Sequence, residues 1–535
     1  MKTQGTIKAA LSAVTVGVLS LTMAACSSGS APKTASNELA NGKTFTLRLS
    51  VDPGSLDPLF ASNSVTQQTA RFLYDTLVNF DPDGNVVAGL AQSWQGTTTE
   101  ATFTLRKNIT CSDGSALTPE IVAANINFVG DPSNNSTQTG ISVAPGAKAT
   151  SDSEKGTVTV TTPSPEPFLI RNVGSLPIVC AAGTKDRGLL AKGADGTGMY
   201  TVTEVAAGDH YTLTRRKDYA WGPGDWKTDQ AGLPDKVVLK VISNETTAAN
   251  LLLSGEVNAA TIIGPDKQRL QAKKAFQRDL VTALGQIWFN QKPGLPGSDE
   301  KVRRALTQAL KLDELGQVVT SGDGKPATGL IAPVLSPCKQ DTLSGNLPGH
   351  DLDAAKSALD AAGWKVGANG VRSKDGTPLK MEFFYPSTMG PTFAAGAELI
   401  KEVWSGIGVD VLLRPVTDAE GSSLILGGEG GWNAAFVPIG VGLPNELVPL
   451  VSGPTPPNGS NFAFLNNAGY LENVQKAVSA TGEAGCEYWA AAERKLFEHV
   501  DVVPFVNSAT PTFAVGATFE LADGQLAPSS VRMLR

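Results

Sequence analysis

The fold class is decided by residues 379–416, which read LKMEFFYPSTMGPTFAAGAELIKEVWSGIGVDVLLRPV. Leu379–Tyr385 is a short run of apolar residues that predicts a buried strand. Phe393–Ile407 has helical spacing and is followed by Gly408, a residue that suits a helix C-terminus. Val409–Val416 again has the pattern of a strand. A strand, a helix and a second strand in this order predict an α/β fold with at least partly parallel pairing.

The sequence on either side extends this pattern. Apolar residues fall on one face of a helix in Asp299–Leu315 and again in Asp351–Ala362, which Gly363 closes. Thr44–Val51 alternates apolar and polar residues, as a half-buried strand does. Helical spacing also predicts helices over 65–79, 118–128 and 245–254, and short strand-like runs separated by turns fill much of 86–215. No repeat of 20–50 residues is present, which argues against solenoids and propellers.

The first twenty-five residues have the pattern of a secretory signal. Lys2 and Lys8 precede an apolar or small run over 9–25 that is slightly short for a membrane span. Ala24 and Ala25 directly before Cys26 resemble the lipobox of bacterial lipoproteins, in which the cysteine is lipidated and begins the mature chain. We therefore predict a signal peptide at 1–25, a lipidated Cys26, a tether at 26–42 and anchoring at the outer face of the cell membrane. The alternative is an ordinary signal peptide with an incidental cysteine.

Composition excludes several classes of partner. The chain has 535 residues, 44 Lys and Arg against 51 Asp and Glu, and a net charge of −7. A nucleic-acid surface needs a basic footprint, so we expect no nucleic-acid partner. Only three histidines are present, which argues against a multi-histidine metal centre, and we expect no metal and no other cofactor.

Motifs of enzymes are absent from the sequence. There is no G-x-S-x-G and no H-E-x-x-H. Gly42-Lys43-Thr44 resembles the end of a P-loop, but Asn37 stands where that motif needs its first glycine. His210, His350 and His499 lie in unrelated contexts. We therefore predict a binding protein and not an enzyme, with an extracytoplasmic hydrolase as the weakest alternative.

A series of short motifs then gives the chain a family resemblance. They lie in order at 74–77 (YDTL), 90–94 (LAQSW), 102–106 (TFTLR), 112–114 (SDG), 196–200 (GTGMY), 253–257 (LSGEV), 289–290 (FN), 302–306 (VRRAL), 362–364 (AGW) and 406–409 (GIGV). In this order and spacing they are similar to the motifs of peptide/nickel-type (family 5) extracellular solute-binding proteins of ABC importers. The resemblance covers about residues 43–520.

The resemblance implies a two-lobed α/β fold of the type II periplasmic-binding-protein kind, with an extra subdomain in the first lobe. The ligand is bound between the lobes and closure occurs by hinge motion. The implied bounds are 43–80, 196–280 and 508–535 for lobe I, 81–195 for the inserted subdomain, and 281–507 for lobe II.

Four cysteines besides Cys26 form an even set in an exported chain, which predicts disulfides with three possible connectivities. We favour Cys111–Cys180 and Cys338–Cys486, because each pair then lies within one implied lobe.

The ligand anchors of dipeptide-binding relatives are not matched here. Such relatives hold the peptide ammonium by an aspartate soon after a G-W pair, whereas Asn433 follows Trp432 here. The resemblance places Pro444-Asn445 at the family's Asp-Pro step, with asparagine in place of the acid. They hold the carboxylate by an arginine just after the strand that corresponds to Met381–Tyr385, and residues 387–390 contain none. A neutral amide cannot replace an ion pair in a closed cleft without a large loss of affinity.

Six residues are candidate ligand contacts, each with a structural alternative. Trp432 is predicted to stack on ligand, or else to pack in the lobe core. Asn433 and Asn445 suit hydrogen bonds to ligand or turns equally. Tyr385, at a strand end, and Phe60 and Asn63, just beyond the first strand, are predicted to lie at the cleft rim or to be structural.

The predicted function is capture of an oligopeptide, held mainly through its backbone, and its delivery to an ABC import permease. An oligosaccharide or another uncharged solute is the first alternative. A receptor that presents ligand to a signalling partner on the same fold is the second. We expect a monomer.

Overall fold

A computed structural model describes residues 38–61, 63–191, 193–224, 226–227, 229–331, 336–427 and 431–535. The predicted signal peptide, Cys26 and most of the predicted tether lie outside the described residues. The helices of the first half are α1 Ser64–Leu73, α2 Pro119–Gly130, α3 Leu169–Gly174, α4 Ala181–Lys185, α5 Glu245–Ser254 and α6 Lys267–Ala272. Those of the second half are α7 Glu300–Gln308, α8 Leu312–Thr320, α9 Leu352–Ala361, α10 Pro391–Gly406, α11 Asp418–Leu426, α12 Pro444–Val451, α13 Ala468–Ala477 and α14 Cys486–Glu498.

The strands of the described residues fall into two groups along the chain. The first group is β1 Thr44–Leu49, β2 Val78–Phe80, β3 Val86–Ala88, β4 Ala91–Gly96, β5 Glu100–Leu105, β6 Lys148–Asp152, β7 Thr157–Thr161, β8 Tyr200–Ala206, β9 His210–Arg215, β10 Lys236–Val241, β11 Ala259–Thr261 and β12 Phe276–Phe289. The second group is β13 Lys325–Pro326, β14 Lys365–Val366, β15 Arg372–Lys374, β16 Thr377–Pro378, β17 Lys380–Pro386, β18 Asp410–Val416, β19 Ala434–Phe436, β20 Val502–Ala514, β21 Ala517–Thr518, β22 Leu521–Ala522, β23 Gln525–Leu526 and β24 Arg532–Met533.

One mixed sheet runs through the whole molecule in the order β18-β17-β19-β12-β20-β11-β1-β10-β9-β8. Its two longest strands, β12 and β20, pair antiparallel over nearly their full length. One end of this ribbon is flanked by β19, which pairs with β12, and the other end by β11, which pairs with β20. The ribbon therefore connects two α/β halves.

The strand–helix–strand prediction for residues 379–416 is confirmed. β17 pairs in parallel with both β18 and β19. The connecting helix α10 packs on these strands, and Trp404 in its last turn is fully buried and donates from Nε1 to the Leu306 carbonyl at 2.9 Å. The chain passes from α10 to β18 through Gly408, at φ +92°, a conformation that glycine adopts without strain.

The first half carries a second, antiparallel sheet in the order β4-β5-β7-β6. Helix α2 packs against β6 and β7, and the apolar face between them is continuous with the core of the first half. This sheet and helix lie within the predicted inserted subdomain, and the exact subdomain bounds stay a prediction.

Two helices differ from their predicted bounds. The single helix expected over Asp299–Leu315 is divided, because α7 ends at Gln308 and α8 begins at Leu312. The Gln308 carbonyl accepts a hydrogen bond from the Asp351 amide at 2.8 Å, so a distant segment terminates the first helix. The helix expected over 65–79 ends at Leu73, because Val78 pairs with Ala88 in a β-hairpin. In both cases the helix ends where the backbone pairs with another segment, although the apolar residues continue at helical spacing.

The predicted cysteine pairing agrees with the structure, which contains the disulfides Cys111–Cys180 and Cys338–Cys486. Each bond joins segments of the same half. Among the described residues, no helix combines the length and the apolar character that crossing a bilayer requires.

Asp75, in the motif at 74–77, gives a prediction for pH dependence. Its carboxylate accepts hydrogen bonds from Tyr219 at 2.9 Å and from Trp221 at 3.0 Å. Burial nevertheless raises the pKa of Asp75 to about 6. Because this carboxyl binds its proton more tightly in the folded state than in the unfolded chain, its ionisation destabilises the fold as pH rises through about 6.

We therefore expect Asp75→Asn to remove about 2 kcal/mol of pH dependence between pH 7 and pH 4. The quantity to measure is the free energy of urea unfolding of the parent chain minus that of the variant, which isolates Asp75 from the other carboxyl groups. This difference should become more favourable to the parent chain as pH falls. A difference that does not change with pH would contradict the assignment.

Candidate functional site

The direction of the parallel strands locates the site. In the first half, β11 runs along β20 from Ala259 opposite Ala514 to Thr261 opposite Thr512, so its carboxyl end points to the middle of the ribbon. β1 is parallel to β11 and to β10. In the second half, β19 runs along β12 toward the middle of the same ribbon, and β17 and β18 run parallel to it. The carboxyl ends of both sets of parallel strands therefore face the centre of the ribbon, where open α/β sheets bind ligands.

A cavity of about 410 Å³ lies at this position on the first-half side, and we call it the central cavity. It is bounded by the end of β1, the start of α1, the end of β11, the ribbon and the turn between β22 and β23. Its polar lining residues are Arg48, Ser50, Ser64, Gln68, Glu245, Thr261, Thr510, Thr512 and Gln525.

The charged groups of the central cavity offset each other. Arg48 donates from Nε to the Ile242 carbonyl at 2.9 Å and from Nη1 to the Thr261 carbonyl at 3.0 Å. Burial lowers the pKa of Arg48, and the nearby Glu245 carboxylate acts in the opposite direction. Glu245 itself accepts the Gly264 amide at 2.6 Å. The lining has one cation and one anion, each hydrogen-bonded to backbone groups, so its net formal charge is zero.

The remaining polar groups of the lining are hydroxyls and amides. The hydroxyls of Thr261 and Thr512 lie 2.8 Å apart. The Gln68 side chain exchanges two hydrogen bonds with the backbone of Leu526, at 3.0 and 2.8 Å. These contacts fix the wall while hydroxyl oxygens remain able to accept or donate further bonds.

The centre of the ribbon is irregular. The register of β12 against β20 shifts on both sides of Gly285. A side chain at Gly285 would meet Phe505 and Val506 at 2.5 Å, so the close approach of the two strands requires glycine. β-bulges increase twist and bend a strand locally, so the ribbon is distorted at its centre.

Trp432 lies in the core of the second half. Its side chain is only 2% exposed and packs edge-on against Phe384, with ring centroids 5.5 Å apart. This is the environment of the packing alternative, and its predicted stacking on ligand stays a prediction. Asn433 makes two hydrogen bonds with the backbone of Glu382 in β17. Its side-chain Oδ1 accepts from the Glu382 amide at 2.8 Å, and its backbone amide donates to the Glu382 carbonyl at 2.9 Å.

Three other candidates have identifiable structural contacts. Tyr385 lies near the carboxyl end of β17 and packs partly against the second-half core. Asn63 is the N-cap of α1, and its Oδ1 accepts the amides of Val65 and Thr66 at 3.0 Å. Phe60 is 39% exposed and packs edge-on against Phe128.

Asn445 lies in the first turn of α12, and its Oδ1 is buried without a hydrogen-bond partner among the described residues.

None of the six candidates lines the central cavity, although Asn63 directly precedes the lining residue Ser64. The polar lining, which was not predicted from the sequence, comes from six separate stretches of chain. Two of the lining residues stand at positions in the sequence that could have indicated them. Arg48 is near the end of the first strand, and Glu245 is at the start of a helix. Strand directions were needed to use these positions.

The inserted segment also touches the second half away from the central cavity. Phe168 stacks on Trp489, with ring centroids 6.4 Å apart and planes at 28°. The adjacent Pro167 carbonyl accepts the Gly482 amide at 2.7 Å. We call this contact the junction.

Comparison with known proteins gives a consistent family. A sequence profile described as "Bacterial extracellular solute-binding proteins, family 5 Middle" matches residues 85–445. The periplasmic murein peptide-binding protein MppA of Escherichia coli is 24% identical over 512 residues, which cover 87% of this chain and 88% of that protein. Protein XP55 of Streptomyces lividans is 28% identical over 354 residues, 63% of this chain, and the match spans 60% of that protein's length.

Solved structures share the fold. The unliganded open form of the MppA murein tripeptide-binding protein superposes with a TM-score of 0.76 at 19% identity, covering 94% of this chain and 99% of that one. A substrate-binding protein of Microbacterium hydrocarbonoxydans, complexed with 4-hydroxybenzoate hydrazide, has a TM-score of 0.64 at 26% identity and covers 92% of this chain and 100% of that one. The predicted two-lobed α/β fold is thereby confirmed. MppA and the protein of Microbacterium hydrocarbonoxydans are binding proteins, in agreement with the prediction of a binding protein and not an enzyme.

Proposed function

This chain belongs to the bacterial extracellular solute-binding proteins of family 5, and from that membership we propose that it captures an oligopeptide between its two lobes and delivers it to an ABC import permease. The observation that carries the proposal is the meeting of two sets of strand carboxyl ends at the centre of one connecting ribbon. A ligand bound there touches both halves, so binding can favour a closed arrangement that a permease recognises.

The ligand class follows from the polar groups of the central cavity. Its lining has one cation and one anion, Arg48 and Glu245, and is otherwise built from hydroxyls, amides and apolar groups. Such a wall suits peptide bonds better than the separated terminal charges of a free dipeptide. Among the described residues, β12 has no strand on its second edge between Phe276 and Gly285. An unpaired edge can hydrogen-bond an extended peptide backbone, as in strand addition.

The positions that correspond to the dipeptide anchors support this ligand class. Where dipeptide-binding relatives carry an aspartate and an arginine, this chain has amides and hydroxyls. Asn433 is bonded to the backbone of Glu382, and Thr388 donates to Asp418 at 2.6 Å. Nickel is a weaker candidate, because the histidines are not brought together. His210 contacts Asp209 in the first half, and His499 contacts Glu300 in the second half.

A small uncharged solute is the second candidate. The relative from Microbacterium hydrocarbonoxydans was solved with 4-hydroxybenzoate hydrazide, and the neutral lining of the central cavity is equally compatible with such a molecule. An oligosaccharide belongs to the same class of ligand. A receptor that signals instead of importing is the alternative on the same fold.

The lobes and the anchor complete the proposal. Lobe I would comprise 43–80, 196–280 and 508–535, with 81–195 inserted, and lobe II would comprise 281–507. The bulged centre of the ribbon near Gly285 would be the hinge. A lipid on Cys26 would hold a monomeric receptor outside the membrane beside its permease.

Native mass spectrometry of the protein purified from its host tests the ligand class. We expect a set of added masses that fragment as peptides of more than two residues. A single non-peptide mass would favour the second candidate. Micromolar or tighter binding of a free dipeptide, with affinity unchanged in Asn445→Ala, would contradict the argument from missing ion pairs.

Thr510→Val tests the central cavity with little change in shape. Thr510 lines the cavity from β20, and loss of one hydrogen bond should weaken ligand binding about threefold to tenfold. Calorimetric titration with the identified ligand measures this loss. The matched control is Thr150→Val, on the exposed face of β6 in the separate sheet. Equal affinities for the two variants would place the ligand elsewhere.

A further inference from the structure

A second cavity lies inside the second half, and we call it the chamber. It has a volume of about 30 Å³ and is bounded by residues 329–331 and 338–342 and by α12, α13 and α14. Its polar lining comes from Gln340, Thr342, Tyr470, Trp489 and Glu493. It shares no lining residue with the central cavity.

Three polar atoms of the chamber lining are buried without a partner among the described residues: Gln340 Oε1, Tyr470 OH and Trp489 Nε1. Tyr470 is 2% exposed and Trp489 is 3% exposed. Buried polar groups are nearly always hydrogen-bonded in folded proteins, to protein or to internal water. Three such atoms on one small cavity therefore point to an occupant that bonds all of them.

The other polar groups of the chamber restrict the chemistry of that occupant. The Glu493 carboxyl accepts the Leu330 amide at 2.7 Å and also a hydrogen bond from the Thr342 hydroxyl. Burial raises the pKa of Glu493, and burial together with Glu493 raises the pKa of Tyr470, so the phenol keeps its proton. The wall thus offers one indole donor, one amide acceptor and one hydroxyl that can do both.

The size of the chamber selects water. One water needs about 10–15 Å³ of this kind of volume, so the chamber has room for about two molecules. We propose that the chamber binds about two ordered water molecules, which accept from Trp489 Nε1, donate to Gln340 Oε1 and bond the Tyr470 hydroxyl. A larger solute does not fit, and an ion would find no opposite charge that is not already hydrogen-bonded.

The position of Trp489 gives these waters a role. Its indole lines the chamber and also stacks on Phe168 at the junction. Water bonded to Nε1 fixes the orientation of the ring, and the ring is the surface on which the inserted segment rests. The bound waters are therefore part of the support for the contact between the inserted segment and the second half.

Tyr470→Phe tests the proposal, because an occupied and an empty chamber predict opposite signs. If water bonds the hydroxyl, its removal breaks a buried hydrogen bond and the melting temperature falls by about 1–3 °C. If the hydroxyl is unpaired, its removal relieves a buried unsatisfied group and the melting temperature rises. Tyr488→Phe is the control, since Tyr488 lies on α14, the helix that carries Trp489, and is 43% exposed.

A second measurement keeps the test independent of folding yield. We expect the shifts caused by Tyr470→Phe and Gln340→Met to be non-additive in the double variant, because one water network bonds both side chains. A crystal structure of the full mature chain should contain solvent density within hydrogen-bond distance of Trp489 Nε1. A raised melting temperature, additive shifts or an empty chamber in the crystal would each overturn the proposal.

Discussion

Replacing Arg303 by alanine is expected to lower the free energy of unfolding by about 3–5 kcal/mol. Arg303 is 4% exposed and comes from the motif at 302–306. Its guanidinium donates to the carbonyls of Val500, Gly297 and His499 at 2.9, 3.0 and 2.8 Å, and to Asp501 Oδ1 at 3.0 Å. One side chain thus ties the start of α7 to the segment that leads into β20.

The loss is large because Arg303→Ala leaves a buried charge behind. Burial raises the pKa of Asp501 above its usual value. The hydrogen bond from Asn467 and the Arg303 charge lower this pKa and so limit the rise. Without the guanidinium, three carbonyls lose a donor, and the carboxylate of Asp501, which is 3% exposed, keeps its bond from Asn467 but loses its cation.

Urea unfolding followed by tryptophan fluorescence measures the effect of this substitution. Arg304→Ala is the matched control, because Arg304 is 37% exposed and its ion pair with Glu300 contributes little. Asp501→Asn in the Arg303→Ala background should recover part of the loss, since the amide carries no charge. A loss below about 1 kcal/mol for Arg303→Ala would show that the pair does not hold these segments together.

Removing the disulfides is the second large effect. Cys338 and Cys486 are 148 residues apart in sequence, and Cys111 and Cys180 are 69 apart. Closing a longer loop restricts the unfolded chain more, so we expect losses of about 5 kcal/mol for Cys338→Ser with Cys486→Ser and about 4 kcal/mol for the other pair.

Urea unfolding of the two double-serine variants measures these losses, and the unmodified chain under reducing conditions should be destabilised by more than either. Equal stability of the variants and the oxidised chain would contradict the expectation. A peptide map under non-reducing conditions provides the control. A link from Cys111 or Cys180 to Cys338 or Cys486 would show that the pairing is wrong.

The sequence predicted local structure best where the pattern was set by neighbours along the chain. The strand, helix and strand of residues 379–416 were found within a residue or two, because each has a buried face that repeats with its own period. The break between α7 and α8 was missed, because it depends on the amide of Asp351, more than forty residues away.

The sequence motifs were read correctly as family features, but their physical role came from the structure. Arg303 is one of two adjacent arginines in the motif 302–306, and its four acceptors are distant in sequence or on a turn. Trp432 is predicted to contact ligand because it is aromatic and follows a glycine; its ring packs among core aromatics, and the ligand contact stays a prediction.

By itself, the sequence determined the α/β class, the family resemblance, the favoured cysteine pairing and the case against an enzyme. These depend on residue types, periods and spacings that can be read along one dimension. Only the tertiary structure decided which side chains line the central cavity and which polar atoms meet in the chamber. Arg48, Glu245 and Thr512 come together because β1 and β11 run side by side toward the ribbon, where β11 pairs with β20. Strand direction and pairing are set by contacts between segments hundreds of residues apart, and no local pattern records them.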